Sequence, residues 1–524
     1  MVRRLEETAR RHLDWVAAAV TLAGLALRWR LASESYLNPD EAWVSLLAVP
    51  SSLPELYAMA IRTAHPPLLV FLLHAVKQVS QAEIALRLAP VIAGAVFPWL
   101  VYRWLGRIWS RTAGFIALVL LTLSPSLIAL SAQVRGYTLV MLWMAAALLL
   151  LERAIEEDSP AKMAGFTAVL YLAILTEYSA AMFAAPVGVY ALLRFRRTSR
   201  ATAAQPEGAV RGVSRMTMLA WLAGQAGAAL VYAGLFFSQI VPRLERARSS
   251  GEFQIWLEPL FPRPGENPLL FLGAGAAAQM RYFLHSEALA MVGIVLWLGG
   301  CVLLWRKSWA VALVLLLPFG LTWAAALLHV HPYTGTRHSA FLALFLAGGI
   351  AVAADRLAGS RVLPAALCLV VALHGWGIPA ARLRGDMPAE NQRRHQMREA
   401  LLFLKGAVPR DAVLLTETET RQILGHYLAG MEWLPETKHL PSEEQIGPLR
   451  TLAARWSYNH LGELEEDLEL YRGRYRPAAG ESIWVMDAGF SCALGRSLNE
   501  ERRGFRTAGV HQFGKGILIL EIRN

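Results

Sequence analysis

A polytopic helical membrane protein with a small α/β domain at its C-terminal end is the fold class this sequence predicts. Three observations carry that reading: apolar runs that repeatedly approach the length needed to cross a bilayer, basic residues gathered between those runs, and a change of texture beyond residue 385. Of 524 residues 55% are hydrophobic and only 17% are charged, which is more apolar surface than a soluble core would hide. The formal charge of +11 falls in short clusters between apolar runs, where arginine anchors loops at the cytoplasmic face. No polar domain is lined by that charge, so nucleic acid is excluded as a partner. Cys301 and Cys368 lie inside apolar runs and Cys492 stands alone in the polar tail, which excludes a disulfide framework and a thiolate metal site.

The first apolar run, Trp15 to Trp29, follows Arg3, Arg4, Arg10 and Arg11 and leads into polar sequence without a small-residue cleavage site. It is read as a retained helix with a cytoplasmic N-terminus, delivering residues 30–85 to the outer face. Runs at 86–105, 113–130, 138–151, 163–176, 179–193, 216–240, 287–304, 308–328, 339–354 and 362–379 then alternate. They place Arg103 to Arg111, the dense Arg194 to Arg215 cluster, Arg306 with Lys307, and Arg356 with Arg361 inside. About eleven crossings result, with the tail outside. Two stretches are not counted. His65-Pro66-Pro67 opens a short apolar helix ending near His74 and Lys77, which suits the outer interface, where both cations face headgroups. The insert 241–285 is an external connection whose Arg243, Arg246 and Arg248 face either headgroups or an anionic ligand.

Beyond residue 385, an amphipathic helix at 388–406, a buried strand at 412–416, a helix at 419–430 and strands at 482–487 and 517–522 predict an α/β domain. The expected division is a catalytic membrane domain, 1–384, and an extracytoplasmic domain, 385–524. The second part carries no catalytic motif and no phosphate-binding loop, so it is expected to serve acceptor access.

The chemistry is therefore sought on the outer face. Asn38-Pro39-Asp40-Glu41-Ala42-Trp43 puts two carboxylates just past the first helix. Such a pair equally serves as acidic residues at a helix start, which the helix dipole favours. Its company argues for function: His65, Arg135, Tyr137, Glu177, Tyr178, Arg281, His329, His331, Tyr333, Arg337 and His338 fall at the same depth and side. Acid among many cations describes a site for a phosphorylated ligand together with a general base.

These residues also carry a resemblance. Asp40-Glu41-Ala42, His65-Pro66-Pro67-Leu68, Ile84-Ala85-Leu86-Arg87-Leu88-Ala89-Pro90, Ser124-Pro125, Ser131-Ala132-Gln133-Val134-Arg135-Gly136-Tyr137 and Tyr333-Thr334-Gly335-Thr336-Arg337-His338 occur in this order. The region 15–355 that they span resembles the GT-C glycosyltransferases of the ArnT and protein O-mannosyltransferase type, which take a sugar from a polyprenyl-phosphate carrier. The resemblance implies a GT-C fold and an inverting transfer to an extracytoplasmic hydroxyl of a lipid, glycan or protein. It implies Asp40 as catalytic base with Glu41 beside it, and Arg135 and Arg337 as grips for the carrier phosphate. His65, Tyr137, Glu177, Arg281, Tyr333 and His338 complete the expected substrate-binding set. Relatives of the aminoarabinose type place a carboxylate in the second external loop; segment 131–137 has none, and Glu177 is the substitute that topology offers. With a single Asp-Glu pair, a metal-independent site is expected in place of one holding a divalent ion. The expected location is a bacterial inner membrane, with the tail periplasmic or extracellular. A transporter or flippase for a lipid-linked anion is the alternative, but it would show internal repeats and polar, broken helices at mid-membrane. A bare membrane anchor for the C-terminal domain would leave the outer-face residues idle.

Overall fold

The computed structural model describes residues 12–50, 52–61, 65–204, 213–249, 258–359, 392–409, 412–429, 442–453, 461–475, 481–490 and 506–523. The chain forms two compact units. One comprises residues 1–30, 60–69 and 87–383; the other joins 31–59 and 70–86 to 384–524.

The first unit is helical. Among the described residues seven helices are long and apolar enough to cross a membrane, or eight if the bent pair Arg111–Leu123 and Pro125–Ser131 is one span. The count of about eleven differs for definable reasons. Pro160–Thr176 is an apolar helix of 17 residues, too short to stand among the seven. Two expected runs are merged in Glu287–Leu327, 41 residues long and broken at Ser308, where φ −159° and ψ 94° leave the helix. At 1.5 Å per residue the helical part on each side of that kink is about 30 Å long, one hydrocarbon core apiece, so both expected runs are present. The run 362–379 lies outside the described residues. The insert at 241–285 is more helical than expected: it contains Val241–Ser249 and Pro268–Leu284, the latter rich in Ala and Gly and so weak in hydropathy.

Helix starts follow local chemistry. Ser110, Ser159 and Asn267 each accept a backbone N–H of the first turn, and Pro follows directly at Pro160 and Pro268, where its missing N–H costs nothing. The bend before Pro125 has a specific support. Proline cannot donate to the Leu121 carbonyl, and the fully buried Arg28 fills that gap. Its guanidinium donates to the carbonyls of Leu121 at 3.4 Å, Thr122 at 2.9 Å and Gly24 at 3.1 Å, and to the Ser131 hydroxyl at 3.1 Å. An arginine inside an apolar helix thus holds the segment that leads to Arg135.

The second unit contains a six-stranded sheet in the order β2-β3-β1-β4-β6-β5. The strands are β1 Val413–Thr416, β2 Ser442–Ile446, β3 Leu449–Ala453, β4 Ser482–Asp487, β5 Arg506–Phe513 and β6 Ile517–Arg523. β1 runs parallel to β3 and β4, with Leu414 opposite Trp484, and β6 runs antiparallel to β4, with Leu520 opposite Val485. Val413, Leu415, Leu452, Ile483, Val485 and Ile522 form one buried face, on which Leu468 and Tyr471 of helix Leu461–Tyr475 pack. The expected elements at 412–416, 419–430, 482–487 and 517–522 are all present within two residues. The helix expected over 388–406 begins at Arg394, and its first positions lie outside the described residues.

The first described helix is α1, Leu13–Glu34; the next, α2, Pro39–Leu47, carries Asp40 and lies in the same unit as the sheet, as does the helix Leu68–Lys77 from Val70 onward. Helix Thr418–Leu428 of the C-terminal part packs on α2.

Candidate functional site

In the first unit a polar cluster is built from four segments, at His65, Arg135 to Tyr137, Glu177 and His331 to Ser339. His65 Nδ1 lies 2.9 Å from Glu177 Oε2, with both side chains nearly buried. The Tyr137 ring stands edge-on to His65 at 5.9 Å and to His338 at 6.2 Å, linking three of the segments. His331 Nε2 lies 3.2 Å from the carbonyl of His338, and Ser339 Oγ donates to the Pro332 carbonyl at 2.8 Å, which fixes the turn before the last described span. Arg337, His331, His65 and Arg135 are all near enough to act electrostatically on His338. Burial lowers the His331 imidazole, while the charge of Glu177 acts in the opposite direction. Gly136 lies close under this arrangement: a Cβ there would come within 3.1 Å of Thr176 and 3.7 Å of Glu177 Oε2. The cluster therefore combines two guanidinium groups and three imidazoles with one carboxylate; burial, then the neighbouring cations, hold the His338 imidazole well below its usual range, so the guanidinium groups are the charges suited to hold an anion.

Tyr333, in the same 331–338 turn, and Arg281 line a cavity of about 680 Å³ together with Arg263, Glu266, Phe271 and Thr334 among others. The Tyr333 ring packs against Gly275, where any Cβ would meet it at 2.4 Å, and burial raises its phenol. Arg281 is half-exposed and pairs with Glu287 at 2.8 Å, a surface ion pair.

Asp40 and Glu41 lie in the second unit, and the structure separates their tasks. Asn38 is the N-cap of α2 and accepts the Glu41 N–H at 2.9 Å, while Glu41 Oε2 accepts the Asn38 N–H at 3.0 Å. This capping box, Asn38-Pro39-Asp40-Glu41, satisfies two orphan donors at the helix start. Glu41 is fully buried and also accepts from Gln392 Nε2 at 3.2 Å. Asp40, one position earlier, is partly exposed and is not the cap. At the other end of α2, Lys77 Nζ donates to the Ser45 carbonyl and His74 Nδ1 lies 3.2 Å from the Ala48 carbonyl. These two side chains bond the end of α2, where carbonyls lack helical partners, instead of facing headgroups. Burial pushes the Lys77 ammonium down to about 7.

Sequence reading missed Gln392, Tyr427 and Arg28. Arg28 had a signal, an arginine within an apolar run; Gln392 and Tyr427 had none, because their partners lie hundreds of residues away. Among the described residues no group of three or more His, Cys, Asp or Glu is arranged to hold a metal ion.

The fold is that of the GT-C membrane glycosyltransferases. The apo structure of ArnT from Cupriavidus metallidurans superposes with a TM-score of 0.53 at 11% identity, over 98% of each chain. Residues 64–221, under a third of the chain, match the family model of dolichyl-phosphate-mannose-protein mannosyltransferase. ArnT bound to undecaprenyl phosphate gives a TM-score of 0.47 at 12% identity, over 97% of this chain and 98% of that one. The Archaeoglobus fulgidus oligosaccharyltransferase tethered to an acceptor peptide gives 0.45 at 14% identity, over 79% of this chain. The match spans 64% of the length of that oligosaccharyltransferase. No curated protein matches the chain by sequence.

Proposed function

We propose that this protein is a polyprenyl-phosphate-sugar-dependent glycosyltransferase that moves the sugar, with inversion, to an extracytoplasmic hydroxyl of a lipid, glycan or protein. The observation that carries the reading is the gathering of Arg135, Arg337, His65, His331 and His338 around Tyr137 and Glu177. A phosphate leaving group needs donors that stay charged at working pH and meet two oxygens at once, which is what guanidinium supplies. In the reaction the acceptor oxygen bonds to the anomeric carbon while the bond from that carbon to the phosphate oxygen breaks. The bonding pair leaves with the carrier phosphate, where the arginines stabilise it. Asp40 accepts the acceptor proton; its role rests on the resemblance of Asp40-Glu41-Ala42 to the family motif. Asn38 and Glu41 already satisfy the helix start, so the cap calls for no carboxylate at position 40. Glu41, in this reading, is a structural partner of Asn38 and not a second base. The protein sits in a bacterial inner membrane with N-terminus and residues 194–215 inside and residues 385–524 outside; tail cysteines labelled only after lysis would overturn that orientation.

The test uses protein in nanodiscs, undecaprenyl-phosphate mannose tritiated in the sugar, and an envelope extract as acceptor, in single turnover beside a binding assay. Asp40→Asn is expected to bind donor normally and to transfer roughly a hundredfold more slowly or worse, the worth of a positioned proton acceptor. Arg337→Ala is expected to lose donor binding along with turnover. Transfer by D40N at close to the normal rate would remove Asp40 as the base.

A further inference from the structure

Asp40 is surrounded along the backbone by residues tied to the far end of the chain. Gln392 is buried, 4% exposed; its backbone carbonyl accepts the Tyr36 N–H at 3.0 Å and its side-chain amide donates to the Tyr36 carbonyl at 2.5 Å, so that both edges of one residue are bonded. The same amide reaches Glu41 Oε2, the carboxylate of the capping box, across 351 positions of sequence. Arg393 forms an isolated antiparallel bridge with Ser35, and its guanidinium meets Glu34 at 2.5 Å. The Tyr427 hydroxyl accepts the Leu37 N–H at 3.0 Å and donates to Glu83, which Arg394 also meets at 3.1 Å. His426, one residue before, lies 3.3 Å from the Ser45 hydroxyl on the next turns of α2. Residues 34, 35, 36, 37, 41 and 45 are thus bonded to the C-terminal part, and Asp40 sits between two of them.

None of these bonds is needed to form α2, since Asn38 and Glu41 close the capping box locally. What they add is a fixed place for the start of the helix. A base must stand within hydrogen-bond reach of the proton it takes, and displacement by about 1 Å costs roughly a hundredfold in rate.

We propose that Gln392 and Tyr427 are positioning residues for Asp40, so that the C-terminal domain takes part in the transfer by holding the base, an inference that rests on Asp40 being that base. The domain then does more than admit the acceptor.

The test is made on the full chain in nanodiscs, with undecaprenyl phosphate as binding probe and tritiated undecaprenyl-phosphate mannose for single turnover. Gln392→Leu is expected to lower turnover roughly ten- to a hundredfold with carrier affinity and melting midpoint close to normal. Gln392→Glu sets a second carboxylate against Glu41. Its turnover relative to the unmodified protein is expected to rise as pH falls from 8 to 5, when a shared proton restores the hydrogen bond. A merely structural contact would show no such change of ratio. Tyr427→Phe, which removes one hydroxyl, is expected to lower turnover several-fold and serves if Gln392→Leu does not fold. Normal turnover in Gln392→Leu or, where that variant does not fold, in Tyr427→Phe overturns the proposal, as does parallel loss of turnover, affinity and melting midpoint. Asp40→Asn is run beside them. If it is slow while Gln392→Leu is normal, positioning alone fails; if it is normal, the assignment of Asp40 fails and positioning falls with it.

Discussion

The backbone around Asp40 and the cluster around His338 are held by opposite means. At the start of α2 the bonds to the backbone of Tyr36, Leu37 and Glu41 come from neutral groups, the Gln392 amide and carbonyl, the Tyr427 hydroxyl and the Asn38 side chain, while the carboxylates of Glu34, Glu41 and Glu83 are each bonded beside them. Around His338 the contacts are ionic or ionisable, with Arg135, Arg337 and His331 set against one His65–Glu177 pair. Neutral hydrogen bonds are directional and fix a place, whereas clustered charge sets a field that falls off slowly. A proton acceptor is useful only at one place, while a leaving phosphate needs a field over several oxygens. For the proposed reaction, the comparison teaches that the two tasks would be separable by mutation, one through geometry and the other through charge.

The comparison breaks most visibly at Arg28, where a charge does a neutral group's work. Arg28→Leu would strip the Leu121, Thr122 and Gly24 carbonyls and the Ser131 hydroxyl of their donor, at about 3 kcal/mol or more for several buried acceptors. A lower melting midpoint in nanodiscs, together with weakened undecaprenyl phosphate binding as the Ser131–Arg135 segment shifts, is the expected result. An unchanged midpoint would remove Arg28 from the support of the bend. Glu177→Gln sharpens the other side. Taking one negative charge out of the cation cluster should tighten undecaprenyl phosphate binding about tenfold, some 1.4 kcal/mol, while slowing turnover through retained product. Weaker binding in a titration would show that Glu177 orients the cluster by hydrogen bonding and that its charge is incidental.

The smallest expected effect lies in the C-terminal sheet. Glu417, at the end of β1, is buried beside Asp487 and Glu419, and burial followed by those two charges raises its carboxyl well above the usual range. A folded-state value raised above the unfolded one gives a contribution complete below about pH 4.5 that is lost as pH climbs through the raised value. Glu417→Gln keeps the neutral form at every pH. It should flatten that dependence and protect β1 and β4 amides by about 1 kcal/mol at pH 8, read by hydrogen exchange. Equal pH dependence in both proteins would place the titration elsewhere.

Much of the fold was legible because its signals are local. The apolar runs gave the helices, and β4, Ser482–Asp487, was visible as Ile-Trp-Val-Met between polar residues. β2, Ser-Glu-Glu-Gln-Ile, was not, since an edge strand of polar residues has no hydrophobic period to read. Nor was β5, where Gly509 accompanies a register shift. The site was legible in residue types and less so in roles. Asn38 and Glu41 stand three apart, the spacing of a capping box, so the helix-start reading of the Asp40-Glu41 pair is legible in sequence beside the catalytic one, although the partner Asn38 is not singled out. Gln392 lacked any such sign: its partners are fixed only when chain segments 351 residues apart meet.

That separation sets a clock on biogenesis. Residues 31–59 leave the ribosome long before residues 384–524, with which they form one unit. At about 5–20 residues per second, the 351 residues between Glu41 and Gln392 take roughly 20–70 s to synthesise. Throughout that interval the membrane helices can insert one after another while the Asp40 segment waits for its partner. Fixing of the start of α2 is thereby deferred until about three quarters of the chain has been made, and a nascent chain stalled before Gln392 would already hold its long apolar helices while the Asp40 segment was not yet set in place.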